Sequence, residues 1–276
     1  MLASRQHEGS GGEIAESHWV DVDGGQLHVR AAGVGPLVIL LHGWTLDWRI
    51  WVPQLALLNV RLVMPDRRGF GLSTAPPMLS AERNDIDRIA NFFGERHFAL
   101  IGLSQGAAVA LDYARTESDR LNAMSLIGSP LHAVVPEPGD TPEIDRAAYA
   151  DLVRNGRIDD MMALWRRHPL TRVTPDAQAM VNDILNAYDG RDQHVVQEPL
   201  HFAAKDIAAL AMPILAIAGA QDSIWRRQVA DYVGTNAPKG HCEIIPDAGH
   251  LANVDAAAAV NGLLQNFLNT YHLKEV

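Results

Sequence analysis

The sequence of 276 residues contains only one cysteine, Cys242, which excludes an internal disulfide bond. Cys242 lies in a short apolar stretch that we predict to be a buried strand, so we expect an inert core residue. The chain also lacks an apolar run of transmembrane length, and its polar residues 1–17 lack the apolar core of a signal peptide. We therefore expect a cytoplasmic protein that binds no membrane, with a disordered segment at residues 1–17.

The sequence also has few positively charged residues. The 23 lysine and arginine residues are outnumbered by 33 aspartate and glutamate residues, which gives a formal net charge of −10. Such a chain is repelled by nucleic acid phosphates and by anionic membrane surfaces, so neither is expected as a partner. The length suits one large domain with an insertion.

What the sequence does contain is an alternation of apolar runs and helical segments, which is typical of parallel βαβ units. The predicted strands are residues 20–23, 26–30, 36–41, 60–64, 97–101, 121–128, 213–219 and 242–246. The predicted helices among them are residues 47–58, 81–93 and 105–116. Residues 131–205 show no strand pattern, and helices are predicted there at 142–155, 158–168 and 175–188, the first and third beginning at Thr-Pro pairs. We therefore predict an α/β core at residues 18–130 and 206–276 with a helical insertion at 131–205.

The most informative stretch is Gly-Leu-Ser-Gln-Gly at residues 102–106, between the predicted strand 97–101 and the predicted helix 105–116. A serine on such a sharp turn is held in strained backbone geometry with its hydroxyl exposed, and the flanking glycines give the turn room. The helix that follows directs its free N–H groups and the positive end of its dipole toward the serine. Ser104 is therefore the candidate nucleophile, with a plain glycine-rich turn as the alternative interpretation.

A serine nucleophile needs a base and an acid, which in this arrangement follow it in the chain. Asp222 comes just after strand 213–219, and His250 comes just after strand 242–246. Both therefore lie near the carboxyl ends of strands, where an open parallel sheet places its ligand site. Taken alone, Asp222 suits a helix N-cap and His250 a surface position, but their order after Ser104 favours a catalytic acid and base.

An oxyanion hole needs two backbone N–H groups directed at the place where negative charge develops. In this arrangement one belongs to Gln105, the residue after the nucleophile, and the other to the loop after strand 36–41, where Trp44 is the candidate. His42 closes that strand, and we expect it to bond to backbone groups of the loop rather than to act in catalysis.

Five motifs in this order resemble the α/β-hydrolase superfamily over residues 19–271. They are His-Gly-Trp at 42–44, the Asp-x-Arg-Gly-x-Gly-x-Ser turn at 66–73, the turn around Ser104, then Asp222, and Gly-His at 249–250. The resemblance implies the α/β-hydrolase fold: a mostly parallel central sheet with helices on both faces and an inserted helical cap, here residues 131–205, over the substrate pocket. The turn at 66–73 is structural in this family, and because no Gly-Lys-Ser/Thr follows it, it is not a phosphate loop.

These residues predict hydrolysis of a carboxylic ester or a lactone through an acyl-enzyme on Ser104, with His250 as general base and Asp222 orienting it. No cofactor and no metal ion are required. The adjacent His241 and Cys242 point to opposite sides of their predicted strand and so cannot share an ion. The expected partner is a small-molecule ester or lactone, and a homodimer is left open.

The substrate pocket is expected to be lined by four side chains: Trp44, Leu103, Trp165 and Leu251. Trp165 recurs with Met161 and Met162 at helical spacing, a pattern that favours packing of the cap onto the core over lining of the pocket. Both interpretations of Trp165 stay open from sequence.

Departures from subfamily patterns narrow the activity. Ser104 stands where haloalkane dehalogenases and epoxide hydrolases have aspartate, and Leu103 and Leu251 stand where carbon–carbon bond hydrolases typically have asparagine and tryptophan. Residues 223–227 offer no lysine of the kind that hydroxynitrile lyases use, and Thr45 stands where perhydrolases often have proline. The alternatives that remain are an enol-lactone or C–C bond hydrolase, perhydrolase-type acyl transfer, and a slow-hydrolase small-molecule receptor.

Overall fold

The computed structural model describes residues 15–139 and 142–272. Eight strands in this part of the chain form one sheet in the order β1-β2-β4-β3-β5-β6-β7-β8. The strands are β1 (Glu16–Val22), β2 (Gly25–Ala32), β3 (Leu37–Leu41), β4 (Arg61–Pro65), β5 (Phe98–Leu103), β6 (Leu121–Ile127), β7 (Ile214–Gly219) and β8 (Gly240–Ile245). Strand β2 runs antiparallel to both of its neighbours, whereas every pair from β4 to β8 is parallel. This is the mostly parallel sheet that the sequence predicts.

Helices cover both faces of the sheet. The α-helices are α1 (Glu82–Phe92), α2 (Gln105–Glu117), α3 (Arg146–Arg154), α4 (Ile158–Trp165), α5 (Pro175–Asn186), α6 (Ala204–Ala208), α7 (Ile224–Asn236), α8 (Ala252–Asp255) and α9 (Ala257–Tyr271). Short 3-10 helices lie at Trp48–Ala56, Leu79–Ala81, Ser118–Arg120, Pro169–Thr171 and Arg191–His194. Strand β3 shows why both faces need cover: Ile39 belongs to one core cluster and Leu40 to the other, and neither has exposed surface.

Two sequence predictions need correction in the core. The predicted helix 47–58 is instead a 3-10 helix at Trp48–Ala56, because in an α-helix the ring of Pro53 would clash with the carbonyl of Arg49. The predicted disordered segment extends to residue 17, but β1 begins at Glu16, and Ser17 bonds through its hydroxyl to His28 Nε2 at 3.0 Å. Residues 1–14 of that segment lie outside the described residues.

Between β6 and β7 the described residues form helices and no strand. The predicted start of a helix at Pro175 is confirmed, since α5 begins there. The other predicted Thr-Pro start is wrong for α3, which begins at Arg146, with the side chain of Asp145 accepting from the Ala148 amide at 3.0 Å as its N-cap. Thr141 lies outside the described residues.

The Asp66 turn is structural, as predicted. Its carboxylate accepts hydrogen bonds from the backbone amides of Trp48 and Leu72, each at 3.0 Å, and lies 2.8 Å from His28 Nδ1. These bonds hold the loop after β4 against β2 and the 3-10 helix, at the edge of the sheet where the candidate site lies. Among the helices of residues 15–139 and 142–272, none combines the length and apolar character that a bilayer crossing needs.

Candidate active site

Ser104 occupies the junction between β5 and α2 in a strained conformation. Its φ of 53° and ψ of −117° lie in a region that residues with a Cβ rarely enter. Backbone bonds enforce it: the Ser104 amide donates to the Ile127 carbonyl at 2.8 Å, and the Ser104 carbonyl accepts from the Ala107 amide at 2.9 Å. At Gly106 a Cβ would lie 2.2 Å from the Leu41 carbonyl oxygen, so only glycine fits there. The predicted strand–serine–helix turn is therefore confirmed.

His250 and Asp222 meet across the loops that follow β8 and β7. His250 Nδ1 lies 2.9 Å from Asp222 Oδ2, and both residues are buried. Because a carboxylate only accepts, Nδ1 carries the proton of the neutral ring and Nε2 keeps a free lone pair. Ser104 and His250 line the same cavity. Ser104 Oγ makes no hydrogen bond within the described residues, and such contacts often tighten only when substrate binds.

Asp222 is ionised, and it is not the N-cap of α7. Burial alone would raise its pKa, but the charge and hydrogen bond of His250, the nearby Arg226 guanidinium and the Ser223 amide together hold that pKa below its usual value. The Ser223 amide donates to Asp222 Oδ1 at 2.7 Å. The N-cap of α7 is Ser223 itself, whose hydroxyl accepts from the Arg226 amide at 3.2 Å.

Gly128 and Arg226 support this pair and were missed by the sequence reasoning. Gly128 has φ of 57°, and a Cβ there would lie 2.7 Å from His250 Cε1, so only glycine leaves room for the imidazole. Arg226 donates from Nη1 to the Gly128 carbonyl at 2.7 Å and from Nε to the Glu143 carboxylate at 2.8 Å. The available signals were a glycine at the end of a parallel strand and an arginine one turn after Asp222.

The loop before His250 is held by Asp255, a residue that the sequence reasoning also missed. One Asp255 oxygen accepts from the Gly249 amide at 2.8 Å, and the other accepts from the Thr174 amide of the insertion at 2.8 Å. Asp247, which lies in the same loop, is exposed. Its φ of 57° places it at a tight turn.

Gln105, which carries one of the two amides expected to form an oxyanion hole, follows Ser104 directly, and the loop of the other, Trp44, approaches Ser104 closely. Gln105 is the first residue of α2, and its N–H has no partner in the helix. At Gly43, the neighbour of Trp44, a Cβ would lie 3.2 Å from Ser104 Cβ, which shows how closely the two loops approach. Within the described residues neither the Trp44 nor the Gln105 amide has a backbone acceptor.

The loop that carries Trp44 is rigidly held. Thr45 adopts φ of 63°, and its hydroxyl donates to the Trp44 carbonyl at 2.6 Å while accepting from Trp165 Nε1 at 2.7 Å. His42 donates from Nδ1 to the Gly43 carbonyl at 2.7 Å and accepts at Nε2 from the Arg67 amide at 2.9 Å. His42 thus bonds to backbone groups, as expected.

A cavity of about 560 Å³ opens above Ser104, between the core and the insertion, and its size suits a small organic ligand. Trp44, Trp165 and Leu251 line it. Leu103 does not: its side chain is fully buried in the core cluster that contains Ile101, because alternate residues of β5 point to the same face. The expectation that Leu103 contacts the substrate is therefore wrong.

Trp165 combines the two roles that sequence left open. It is 4% exposed, and its ring centre lies 4.7 Å from that of Trp44, so it packs the insertion onto the loop after β3. It also forms part of the cavity wall. Within residues 15–139 and 142–272, no cluster of three or more histidine, cysteine or acidic side chains has the geometry to hold a metal ion.

Comparison with known proteins gives consistent matches. A family model described as alpha/beta hydrolase fold matches residues 36–257. The AB hydrolase superfamily protein YfhM of Bacillus subtilis is 26% identical, with 91% of this chain and 96% of that protein covered. Epoxide hydrolase 2 of Siraitia grosvenorii is 32% identical over 41% of this chain and 38% of that protein. Among solved structures, a thermophilic esterase from Thermogutta terrifontis, determined with malate bound, has a TM-score of 0.76 at 25% identity, covering 94% of this chain and all of that one.

Proposed function

The chain belongs to the α/β-hydrolase fold family, and from that premise we propose that it is a serine hydrolase that cleaves a carboxylic ester or a lactone through an acyl-enzyme on Ser104. The observation that carries the proposal is the strained Ser104 at the start of α2, which shares one cavity with His250, whose Nδ1 bonds to the buried Asp222. A strained serine costs stability and persists where the surrounding structure enforces it, which is typical of nucleophiles.

In the proposed mechanism, His250 Nε2 takes the Ser104 proton as Oγ attacks the acyl carbon. Asp222 keeps Nδ1 protonated and stabilises the imidazolium that forms. The N–H groups of Gln105 and Trp44 bind the oxyanion of the tetrahedral intermediate. His250 then protonates the leaving oxygen, and water, activated by the same imidazole, releases the acid and restores the Ser104 hydroxyl.

The insertion is proposed as a cap that selects substrates, with residues 18–130 and 206–276 as the core. Its side chains supply the outer wall of the cavity, including Trp165, Leu170 and Val181, whereas the core supplies the reacting groups. Contacts to the non-reacting parts of a substrate align its carbonyl on the nucleophile.

Two alternative activities are disfavoured by particular residues. Ser104 argues against epoxide opening, because members of the family with that activity have aspartate at this position, although a partial relative is called an epoxide hydrolase. Perhydrolase-type acyl transfer is disfavoured at Thr45: its φ of 63° is closed to proline, so this loop takes a shape that the proline of perhydrolases cannot adopt. An enol-lactone falls within the proposed substrate class.

The proposal is tested by labelling with a fluorophosphonate probe. An activated serine beside an oxyanion hole attacks phosphorus rapidly, so we expect stoichiometric labelling at Ser104, mapped by peptide mass spectrometry, and none in Ser104→Ala. Ser118→Ala, at the other end of α2, is the matched control and keeps full labelling. Labelling that persists in Ser104→Ala would assign the nucleophile elsewhere.

A steady-state assay with nitrophenyl esters, lactones and vinylogous diketones separates the remaining alternatives. A hydrolase gives sustained turnover of esters or lactones. A receptor of this fold gives one burst equal to the enzyme concentration and then stalls, and a C–C bond hydrolase turns over the diketones instead.

A further inference from the structure

Arg146 is a charged side chain in the cavity that the proposed chemistry does not use. It is the first residue of α3 in the insertion, and it lines the same cavity as Ser104. Its guanidinium carbon lies 3.7 Å from the centre of the Trp44 ring, so the planar group stacks on the face of that indole. Stacking uses the face of the guanidinium and leaves the N–H groups at its edge available.

Three arginines that are fully buried in this protein are each neutralised by a carboxylate. The pairs are Arg67 with Glu82 at 2.7 Å, Arg68 with Asp85 at 2.6 Å, and Arg226 with Glu143 at 2.8 Å. Within the described residues, the Arg146 side chain forms no ion pair and no hydrogen bond. Partial burial of an unpaired charge is costly, and a ligand carboxylate in the cavity would complete the bonding of Arg146.

The acidic group whose charge acts most strongly on Arg146 is Asp192, and it does not fill this role. The Asp192 carboxylate accepts from Trp44 Nε1 at 2.8 Å, and also from the Tyr188 hydroxyl and Gln193 Nε2, each at 2.5 Å. These bonds use the Asp192 oxygens to fix the N–H edge of the Trp44 indole. The Asp192 charge acts on Arg146 by raising its pKa, but the two side chains form no bond. Burial lowers the pKa of Arg146 to about 10, so its guanidinium is still charged at neutral pH.

We propose that the natural substrate carries a carboxylate in addition to the scissile ester or lactone, and that the Arg146 guanidinium binds this carboxylate. The inference rests on the proposed function, since it concerns the same cavity. A guanidinium edge matches a carboxylate through two parallel N–H···O bonds, which a neutral group of the same size cannot form. Because Arg146 stacks on Trp44, the residue whose backbone N–H is assigned to the oxyanion hole, the carboxylate lies on the same side of the cavity as the reacting carbonyl.

The test compares charged and neutral esters that otherwise match. The probes are the mono-4-nitrophenyl esters of succinic, glutaric and adipic acids, each beside the same compound with its free acid capped as a methyl ester. Rates are corrected for uncatalysed hydrolysis, because a neighbouring carboxylate can itself speed ester cleavage. For at least one chain length we expect kcat/KM of the wild-type protein to be roughly 10–100-fold higher for the charged ester, the range for hydrogen bonds to a charged group.

Variants assign that preference to Arg146. Arg146→Met removes the charge while keeping much of the side-chain volume, and we expect the charged-to-neutral ratio to fall toward one. Arg146→Lys keeps the positive charge but lacks the two parallel N–H groups of a guanidinium, so we expect an intermediate charged-to-neutral ratio. Arg157→Met, an exposed arginine of the insertion paired with Asp160, is the control and keeps the wild-type ratio. Calorimetry of glutarate binding to Ser104→Ala, with and without Arg146→Met, gives a readout that needs no turnover.

The outcomes separate this inference from the proposed function. If fluorophosphonate labels Ser104 and esters are hydrolysed, but the wild-type ratio is near one at every chain length, the serine hydrolase stands and the carboxylate site is overturned. If neither labelling nor hydrolysis occurs, the proposed function fails, and glutarate binding that depends on Arg146 still decides the site. A wild-type preference that survives in Arg146→Met overturns the assignment to this residue, and if that variant fails to fold, Arg146→Lys supplies the same comparison.

Discussion

Two aspartates, Asp222 and Asp247, lie near His250 in space or in sequence, and they differ in burial. Asp222 is buried, bonds to His250 Nδ1 at 2.9 Å and has its pKa held down by the imidazole, against the raising effect of burial. Asp247 is only three residues from His250 but is exposed, and its loop is held by Asp255 instead. Proximity along the chain is therefore a poorer guide to the catalytic acid than the strand end from which each group projects.

We predict that Asp222→Asn lowers kcat by roughly 10²–10⁴-fold while the protein still folds. The amide that replaces the carboxylate cannot stabilise an imidazolium and tends to hold the wrong tautomer of His250. The measurement is ester hydrolysis at saturating substrate, with circular dichroism and thermal unfolding to check the fold. Asp247→Asn is the matched control and retains near wild-type kcat, and a larger loss in the control than in Asp222→Asn would assign the acid to Asp247.

Whether a site residue could be predicted from the sequence depends on the element that carries it. Ser104, Asp222 and His250 could be proposed together because each follows a strand of a parallel sheet, and the carboxyl ends of such strands share one edge. Glu143 and Arg146 could not be predicted as site residues, because they belong to the insertion. The position of the insertion on the core depends on tertiary packing and cannot be derived from local periodicity.

At the scale of elements, the insertion bonds to three of the segments that surround the proposed site, those that follow β3, β7 and β8. Trp165 donates to Thr45 in the loop after β3, and Glu143 accepts from Ser223 and Arg226 after β7. Thr174 donates to Asp255 after β8. The insertion therefore does more than cover the cavity. Because of these bonds, a shift of the insertion would also move the loops that form the proposed site.

We predict that Trp165→Ala costs about 3–5 kcal/mol of unfolding free energy, as for other fully buried large aromatic residues, and also changes the ranking of substrates. The stability loss follows from the cavity left against Trp44, and the altered ranking follows because Trp165 forms part of the pocket wall. Urea unfolding and a panel of acyl chain lengths measure the two effects. Leu164→Ala, on the solvent-facing side of α4, is the control and changes stability by less than about 0.5 kcal/mol.

Trp165→Phe refines this prediction, because it keeps an aromatic ring but removes the N–H that donates to Thr45. We expect a smaller stability loss than for alanine, with a decrease in kcat from a loosened Trp44 loop. Unchanged stability and unchanged substrate ranking in Trp165→Ala would contradict both the packing role and the pocket role.

Elements were predicted well where one pattern dominated. The strand pattern of β5 and β7 is a continuous buried apolar run bounded by glycine or proline, and these strands begin and end within two residues of the prediction. Where two signals compete, the prediction is wrong: Pro53 makes the segment at Trp48–Ala56 a 3-10 helix rather than the predicted α-helix, and α3 begins after Asp145 rather than at the Thr-Pro pair.

At the scale of the whole molecule, buried histidines make stability depend on pH. Burial, the largest cause, and the charge of Arg67 lower the pKa of His42 to about 4. Its bonds give the geometric reason: Nε2 accepts from the Arg67 amide, so a proton on Nε2 would face another N–H. Burial also lowers the pKa of His168 and His272.

The sign follows from comparing the folded and unfolded chains. An unfolded His42 takes up a proton near pH 6.5, whereas the folded one resists until about pH 4. Its contribution to stability is therefore full above pH 6.5, is lost as the pH falls toward 4, and then levels off. Glu82 and Asp85, whose pKa values are raised by burial, act in the opposite direction over part of this range, so the comparison with a variant isolates His42.

We predict that, between pH 7.5 and pH 4.5, the wild-type protein loses about 2–3 kcal/mol more unfolding free energy than His42→Gln does, since each pKa unit corresponds to about 1.4 kcal/mol. Glutamine brings an uncharged amide oxygen near the position of Nε2, where it can still accept from the Arg67 amide. Urea unfolding at the two pH values, followed by tryptophan fluorescence, measures the difference. His241→Gln is the matched control, because that side chain is largely exposed and its removal leaves the pH dependence unchanged. Equal pH dependence in the wild-type protein and His42→Gln would show that His42 is protonated in the fold, and the bond from the Arg67 amide to Nε2 would then be wrong.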